Sequence, residues 1–135
     1  MTNIDSVLLS LRDEIEQNGI IGSEIKVKLS YQKNVLPNPI RKTYITINPE
    51  KITVLPYHSE YGYYRNQITY TVGISIHIPE EGNPSILFRD LSFILDRLDE
   101  GGVFNIESAT CGEIMSDSDT NSIFLPCSIK FTVIC

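Results

Sequence analysis

The sequence predicts an α+β fold in which a mainly antiparallel β-sheet carries two helices on one face. Three observations support this prediction: a long alternating segment in mid-chain, four further segments of strand character, and two segments with helical spacing. Runs of strands with short connections, separated by helices, are typical of this class. The expected order of elements is α-β-β-β-α-β-β.

The long alternating segment runs from Asn66 to Ile78. A side-chain period of two indicates a strand with one buried and one wetter face. Because the segment is longer than a typical strand of about five or six residues, we expect it to be central in the sheet and paired along both edges. Its alternating apolar residues are Ile68, Tyr70, Val72, Ile74, Ile76 and Ile78.

Two amphipathic helices are predicted from apolar residues at helical spacing. In the first helix, Asn3 or Asp5 is placed to cap the start and Gly19 to end it. In the second, Asn83 precedes Pro84 as a cap, and Gly101-Gly102 is the stop. The apolar residues are Ile4, Val7, Leu8, Leu11 and Ile15 in the first helix, and Leu87, Leu91, Ile94, Leu95 and Leu98 in the second.

The remaining strands are predicted at residues 25–31, 43–54, 104–115 and 122–135. The second of these is interrupted at Asn48-Pro49 and closed by Pro56, since proline cannot donate to a sheet ladder. The segment Tyr57–Tyr64 shows neither period and is predicted to be a loop. Ser116–Asn121 is polar and is predicted to be an exposed hairpin turn.

The composition is that of an ordinary globular domain. A length of 135 residues with 41% hydrophobic and 21% charged content predicts one domain, residues 1–135. No apolar run approaches a membrane span, and the N-terminus lacks the features of a signal peptide, so a cytoplasmic location is expected. A net charge of −6 opposes non-specific nucleic-acid binding.

Charge and cysteine are unevenly spread along the chain. Lysine and arginine cluster between Lys26 and Lys51, whereas acidic residues dominate after Glu80. These regions could match on neighbouring copies of the chain, or could be two solvated faces; the sequence leaves both open.

The three widely spaced cysteines argue against a disulfide framework and a zinc site, and are interpreted as small buried or edge residues: Cys111, Cys127 and Cys135.

No residue set makes a catalytic site, and no cofactor or metal is expected. Asp117, Asp119 and Asn121 reproduce three positions of a calcium loop, but Ser122 stands where glycine is needed, which favours a plain turn. The two histidines lack a nucleophile motif, and His77 is interpreted as a structural or surface residue on the polar face of the long strand. Glu80-Glu81 diverge in a turn. The chain is therefore predicted not to be an enzyme.

Two segments are candidates for contact with partners. Pro37-Asn38-Pro39 must lie in a loop or arm, and the tyrosine-rich segment Tyr57–Tyr64 carries side chains that contact partners at low entropic cost. A loop folded back over the sheet explains the second segment equally well.

Two neighbouring segments carry a resemblance to a known family: Tyr31-Gln32-Lys33-Asn34-Val35-Leu36-Pro37-Asn38-Pro39-Ile40-Arg41-Lys42 and the following Tyr44-Ile45-Thr46-Ile47. The sequence here resembles tail terminator (tail-completion) proteins of siphophages and prophages of Gram-positive bacteria. The resemblance extends over nearly the whole chain. It includes the tyrosine-bearing segment, the long strand, the second helix and the segment between them, Pro79-Glu80-Glu81-Gly82-Asn83-Pro84. It rests on a pattern of elements and phrases, without a catalytic signature.

The resemblance implies a ring, often a hexamer, that caps the tail tube, with the tail tube protein and head–tail connector proteins as partners and the virion tail as location. Other small virion components, such as a head-completion or tail-tube subunit, remain alternatives. A small cytosolic ligand-binding protein or enzyme is the alternative of a different class. The expected interface residues are Lys33, Pro37, Asn38, Pro39, Arg41, Lys42, Tyr57, Tyr61, Tyr63 and Tyr64.

Overall fold

The computed structural model describes residues 4–17, 25–29, 36, 41–58, 64–101 and 104–134. These residues form two helices and six strands in the order α1, β1, β2, β3, α2, β4, β5, β6. The elements are α1 Ile4–Gln17, β1 Ile25–Leu29, β2 Thr43–His58, β3 Tyr64–Pro79, α2 Ser85–Gly101, β4 Asn105–Cys111, β5 Met115–Asp117 and β6 Ser122–Ile134. The predicted α+β class is confirmed.

The six strands form one sheet in the order β1-β2-β3-β6-β4, with β5 also paired to β6. Only β1 and β2 run parallel among these strands, and every other pair is antiparallel. β3 is central and pairs with β2 on one side and β6 on the other, as its length and alternation predict. β4 and β5 follow one another along the same edge of β6.

The helices and the apolar side chains of the sheet share one core. The six alternating apolar residues of β3 are all at most 2% exposed. They join the stripes of both helices in one buried cluster, in which Leu11 and Leu98 are at most 1% exposed. Full burial of such a side chain contributes about 1.5–3 kcal/mol, so this face of the sheet fixes the register of β3.

Two details of β2 differ from the prediction. Pro56 does not close the strand: it lies opposite Asn66 in the ladder, and β2 continues to His58. The predicted interruption at Asn48-Pro49 is a bulge in which Glu50 is the extra residue, since the pairing register shifts between Pro49 and Lys51. A strand tolerates proline where its ladder is locally broken or its outer edge is open.

The predicted loop Tyr57–Tyr64 is also shorter than expected, because its ends belong to strands. Tyr57 lies opposite Arg65, and His58 opposite Tyr64, so β2 and β3 form one long hairpin. Similarly, the predicted strand 104–115 is two strands. Gly112 to Ile114 separate β4 from β5, opposite Pro126 of β6, and the Gly112 N–H donates to the Pro126 carbonyl at 2.8 Å.

The boundaries of α2 agree with the predicted signals, and it ends at Gly101. The Asn83 side-chain oxygen accepts a hydrogen bond from the Ser85 N–H at 3.0 Å, which caps α2. Asp5 lies inside α1 instead of capping it, while Asn3 and Gly19 are outside the described residues. Within the described part of the chain, neither helix has the length and hydropathy needed to cross a membrane.

Candidate interaction surface

One end of the sheet brings together segments that are far apart in the sequence. β2 and β6 begin there and β3 ends there, because Tyr44 lies opposite His77 and Pro79 opposite Ser122. β1 flanks the start of β2, and β5 flanks the start of β6. We call this region the charged end; among the described strands, β1 and β5 form its two lateral margins.

The β1 margin of the charged end is basic. The Nζ atoms of Lys28 and Lys42 each lie 5.9 Å from the centre of the Tyr44 ring. Both ammonium groups are attracted to the negative face of that ring, so one buried tyrosine holds two lysines beside each other. Arg41 precedes Lys42 and is exposed. Three cations therefore lie at this margin, Lys28 on β1 and the other two just before β2 begins.

The opposite, β5 margin is acidic. Glu80, Glu81, Glu113 and Asp119 are all exposed there. The turn after β3 and the turn between β5 and β6 are joined directly, because the Glu80 N–H donates to the Asn121 carbonyl at 3.1 Å. Two acidic segments some forty residues apart in the chain thus form one negative surface.

The turn between β5 and β6 is held by Asp117. Its Oδ1 accepts from the Asp119 N–H and its Oδ2 from the Thr120 hydroxyl, each at 3.0 Å. Asn121 closes the turn with a φ of 50°, in the left-handed region that asparagine tolerates. The predicted hairpin turn is confirmed at residues 118–121, whereas Ser116 and Asp117 belong to β5. Both Asp117 oxygens serve the turn, and no group of three potential metal-ligating side chains occurs among the described residues.

His77 lies between the two margins on the face of the sheet away from the helices. It is 7% exposed and its ring stacks on Phe124 with centroids 4.9 Å apart. Burial lowers the pKa of His77, and the negative charge of Asp117 opposes that effect in part. The residue is therefore structural, one of the two roles that the sequence predicts, and its imidazole is held mainly in the neutral form near pH 7.

A depression of about 240 Å³ lies on the same face, in the other half of the sheet. Thr71 of β3 is in register with Lys51 of β2 and Lys130 of β6 at this site. Lys130 is already paired with Glu107 at 3.5 Å, and the Glu50 carboxylate extends over Gly73 toward Ser128. Two lysines and three threonines line the depression, and the charge of Lys130 is offset by Glu107. It is not lined by His77, the residue beside which a ligand pocket would favour the enzyme alternative.

Among the described residues, the β2–β3 hairpin extends past the paired parts of its neighbouring strands. β1 pairs with β2 as far as Ile47, and β6 pairs with β3 from Gln67. In this part of the chain, Leu55–His58 and Tyr64–Asn66 are paired with each other and with no other described strand. Val54 at the base of this extension is 46% exposed. A two-stranded ribbon is only marginally stable alone, so contact with a partner would stabilise it.

The structure separates the residues predicted to form an interface. Arg41 and Lys42 lie at the basic margin of the charged end, and Tyr57 and Tyr64 lie in the extended hairpin. Lys51, which the sequence groups with the basic residues, lies instead on the depression. The remaining predicted residues are outside the described part of the chain: Lys33, Pro37, Asn38, Pro39, Tyr61 and Tyr63.

Sequence reasoning missed two features of this surface. It did not predict that basic and acidic segments share one end of the sheet, because strand order is not encoded locally. It also missed the hairpin extension, because Pro56 within Val54–His58 is a signal that usually ends a strand.

Comparison with known proteins adds no relative: no protein-family model matches the sequence, and neither does any curated protein. The fold defines an α+β protein with a helix-covered, mainly antiparallel sheet, in which the charged end and the extended hairpin are the candidate interaction surfaces.

Proposed function

We propose that this protein is a structural component of a phage or prophage tail that forms a closed ring on the tail tube and joins the tail to the head. The sequence resemblance to tail terminators motivates the proposal. The structural observation that carries it is the opposite charge of the two margins of the charged end, Arg41 and Lys42 on one side and Glu113 and Asp119 on the other.

A ring requires an interface in which one surface of a subunit meets a different surface of the next. Two margins of opposite charge on one sheet end suit that geometry, because each copy offers a basic side to one neighbour and an acidic side to the other. Complementary charge also favours correct orientation during encounter. The extended β2–β3 hairpin supplies a second contact, to the tube or to a neighbouring subunit. The proposal assigns no catalytic residue.

Charge reversal at both margins tests this arrangement. Arg41→Glu with Lys42→Glu makes both margins acidic. Replacing all four exposed acids of the β5 margin by lysine makes both margins basic: Glu80→Lys, Glu81→Lys, Glu113→Lys and Asp119→Lys. Each variant alone is expected to lose about tenfold or more in association constant per reversed contact, since about 1.4 kcal/mol corresponds to a factor of ten. An equimolar mixture is expected to restore rings, and only rings with an even number of subunits.

Native mass spectrometry and electron microscopy of the purified chain, with and without tail tube protein, give the readout. Asp117 is left intact in all variants because its carboxylate holds the turn. Rings that form equally well in every variant would contradict the charge-matched interface. A strict monomer that also leaves tube ends uncapped would contradict the terminator role, and long tubes formed by this chain alone would indicate a tube subunit.

A further inference from the structure

Cys111 and Cys127 face each other across β4 and β6. They are register partners, and their Sγ atoms are 3.6 Å apart. The next pair, Gly112 and Pro126, is a hydrogen-bonding position, since the Gly112 N–H donates to the Pro126 carbonyl. Because such positions alternate in antiparallel sheets, the cysteines occupy a non-hydrogen-bonded position, where Cα atoms are about 4.5 Å apart. This spacing lies within the range of protein disulfides.

The two thiols differ in their surroundings. Cys111 is exposed on the edge strand, whereas Cys127 is 6% exposed and belongs to the core. Burial raises the pKa of Cys127 to about 12, and the hydrogen bond to Cys111 and the negative charge of the Cys111 thiolate contribute to this shift. Cys111 is therefore the thiol that an external reagent reaches first, and Cys127 is placed to react with Cys111 afterwards.

We propose that Cys111 and Cys127 form a reversible dithiol–disulfide site that is oxidised by exchange with a small disulfide such as oxidised glutathione. The Cys111 thiolate attacks one glutathione sulfur; a mixed disulfide forms, the glutathione disulfide breaks, and one glutathione thiolate leaves. Cys127 then loses its proton to water and its thiolate attacks Cys111 Sγ, releasing the second glutathione thiolate. The protein loses two protons and two electrons, and one oxidised glutathione takes them up to become two reduced molecules.

The bond would join the two strands at the base of the β5–β6 hairpin, because residues 112–126 lie between the cysteines. The sulfur atoms must close from 3.6 Å to about 2.05 Å, a movement that the exposed edge strand permits. Closing a loop of this length removes entropy from the unfolded chain. We expect the midpoint of thermal unfolding to rise on oxidation by on the order of 10 °C.

The full chain is equilibrated in glutathione buffers of increasing oxidised fraction, then acid-quenched, alkylated and digested with trypsin. No lysine or arginine lies between Arg97 and Lys130, so both cysteines fall in the peptide Leu98–Lys130, and Cys135 falls in Phe131–Cys135. The first peptide is expected to lose two hydrogens and resist alkylation. Cys135→Ser should behave like the unsubstituted protein, whereas Cys111→Ser should form no closed peptide and show no rise in unfolding temperature.

The closing step has its own signature. Below the pKa of Cys127, the rate at which the mixed disulfide closes is expected to rise about tenfold per pH unit, because the fraction of Cys127 present as thiolate rises by the same factor. Persistent alkylation of both thiols at every ratio, a mixed disulfide that never closes, or a bond from Cys111 to Cys135 would each overturn the proposal. Cys111 is exposed, so its serine variant is expected to fold normally, which circular dichroism checks.

Discussion

At the scale of single residues, His77 and Asp90 are polar groups held in apolar surroundings. His77 is buried against Phe124, and no hydrogen-bond partner reaches its Nδ1. Asp90 lies on the core side of α2, 1% exposed, and its Oδ1 has no hydrogen-bond partner. Arg89 Nε approaches that atom only to 3.7 Å. Both residues should make stability depend on pH, with opposite signs.

For His77, the pKa in the folded protein lies below its ordinary value of 6.5. The unfolded chain therefore binds a proton more readily, and stability is full above pH 6.5 and falls as the pH drops below it. His77→Phe keeps a ring on Phe124 and is expected to remove this loss. Urea unfolding at about pH 7.5 and 5.5 measures it.

His58→Gln, which changes the other histidine of the chain, is the control and should retain the acid-induced loss. Equal losses in the unsubstituted protein and in His77→Phe would show that His77 is not responsible.

For Asp90, burial raises the pKa above its ordinary value of 3.8, and Arg89 opposes the shift in part. The cost of burying the charged form is present at neutral pH, fades as the pH falls through the raised pKa of the folded protein, and is gone below the ordinary value of 3.8. Asp90→Ala is expected to stabilise the protein by about 1–2 kcal/mol at pH 7, through removal of the buried charge and higher helix propensity.

Asp96→Ala is the matched control because Asp96 lies on the same helix and is exposed. Its free energy of unfolding should rise only by the difference in helix propensity, at most about 0.7 kcal/mol. Urea unfolding at pH 7 compares the two variants. An Asp90→Ala variant that is destabilised at pH 7 would mean that the carboxylate has a favourable role in the fold.

At the scale of elements, β3 organises the sheet through its two faces. Ile74 is 1% exposed in the core, whereas Thr71 at a neighbouring position lies on the helix-free face and is partly exposed. The same strand pairs with β2 along almost its full length and with β6 from Gln67 to Pro79. The core face therefore sets its register, and on the other face the side chains near Thr71 are less constrained than the buried His77.

Ile74→Ala is expected to cost about 2–5 kcal/mol in the free energy of unfolding, because it leaves a cavity between the sheet and the helices. Thr71→Ala should change that free energy by less than about 1 kcal/mol. Chemical unfolding of both variants measures the contrast. Comparable losses at the two positions would contradict the assignment of the buried face.

At the scale of the whole molecule, charge is organised by the order of the strands. The chain has a net charge of −6, yet Lys28, Arg41 and Lys42 form a local positive margin. Because the margins are exposed, their attraction for neighbouring copies is screened by salt.

If association uses the charged end, raising ionic strength from about 0.05 M to 0.5 M should weaken it, since the Debye length falls from more than 10 Å to less than 5 Å. Lys51→Glu is the control: it makes the same change of net charge as Arg41→Glu but lies on the depression of the sheet. Sedimentation velocity should show association retained in Lys51→Glu and weakened in Arg41→Glu. An equal effect in both would indicate a response to net charge alone.

Much of this architecture was predictable from local pattern. Several features depend on a few neighbouring residues, because side-chain period and turn chemistry act over short distances. These are the alternation of β3 and β6, the apolar stripes of α1 and α2, the Asn83 cap and the Asp117 turn. Where local signals conflicted, the prediction was wrong: Pro56 lies within β2, whose edge there has no described neighbour.

The α+β class, the long central strand and the buried faces follow from the spacing of apolar residues, so they can be read from the sequence. Which residues of different strands become neighbours is known only from the folded sheet. The pairing of Cys111 with Cys127, the burial of His77 on Phe124, and the two oppositely charged margins all depend on strand order and register. Strand order results from the packing of the whole sheet against both helices, and local sequence does not encode it.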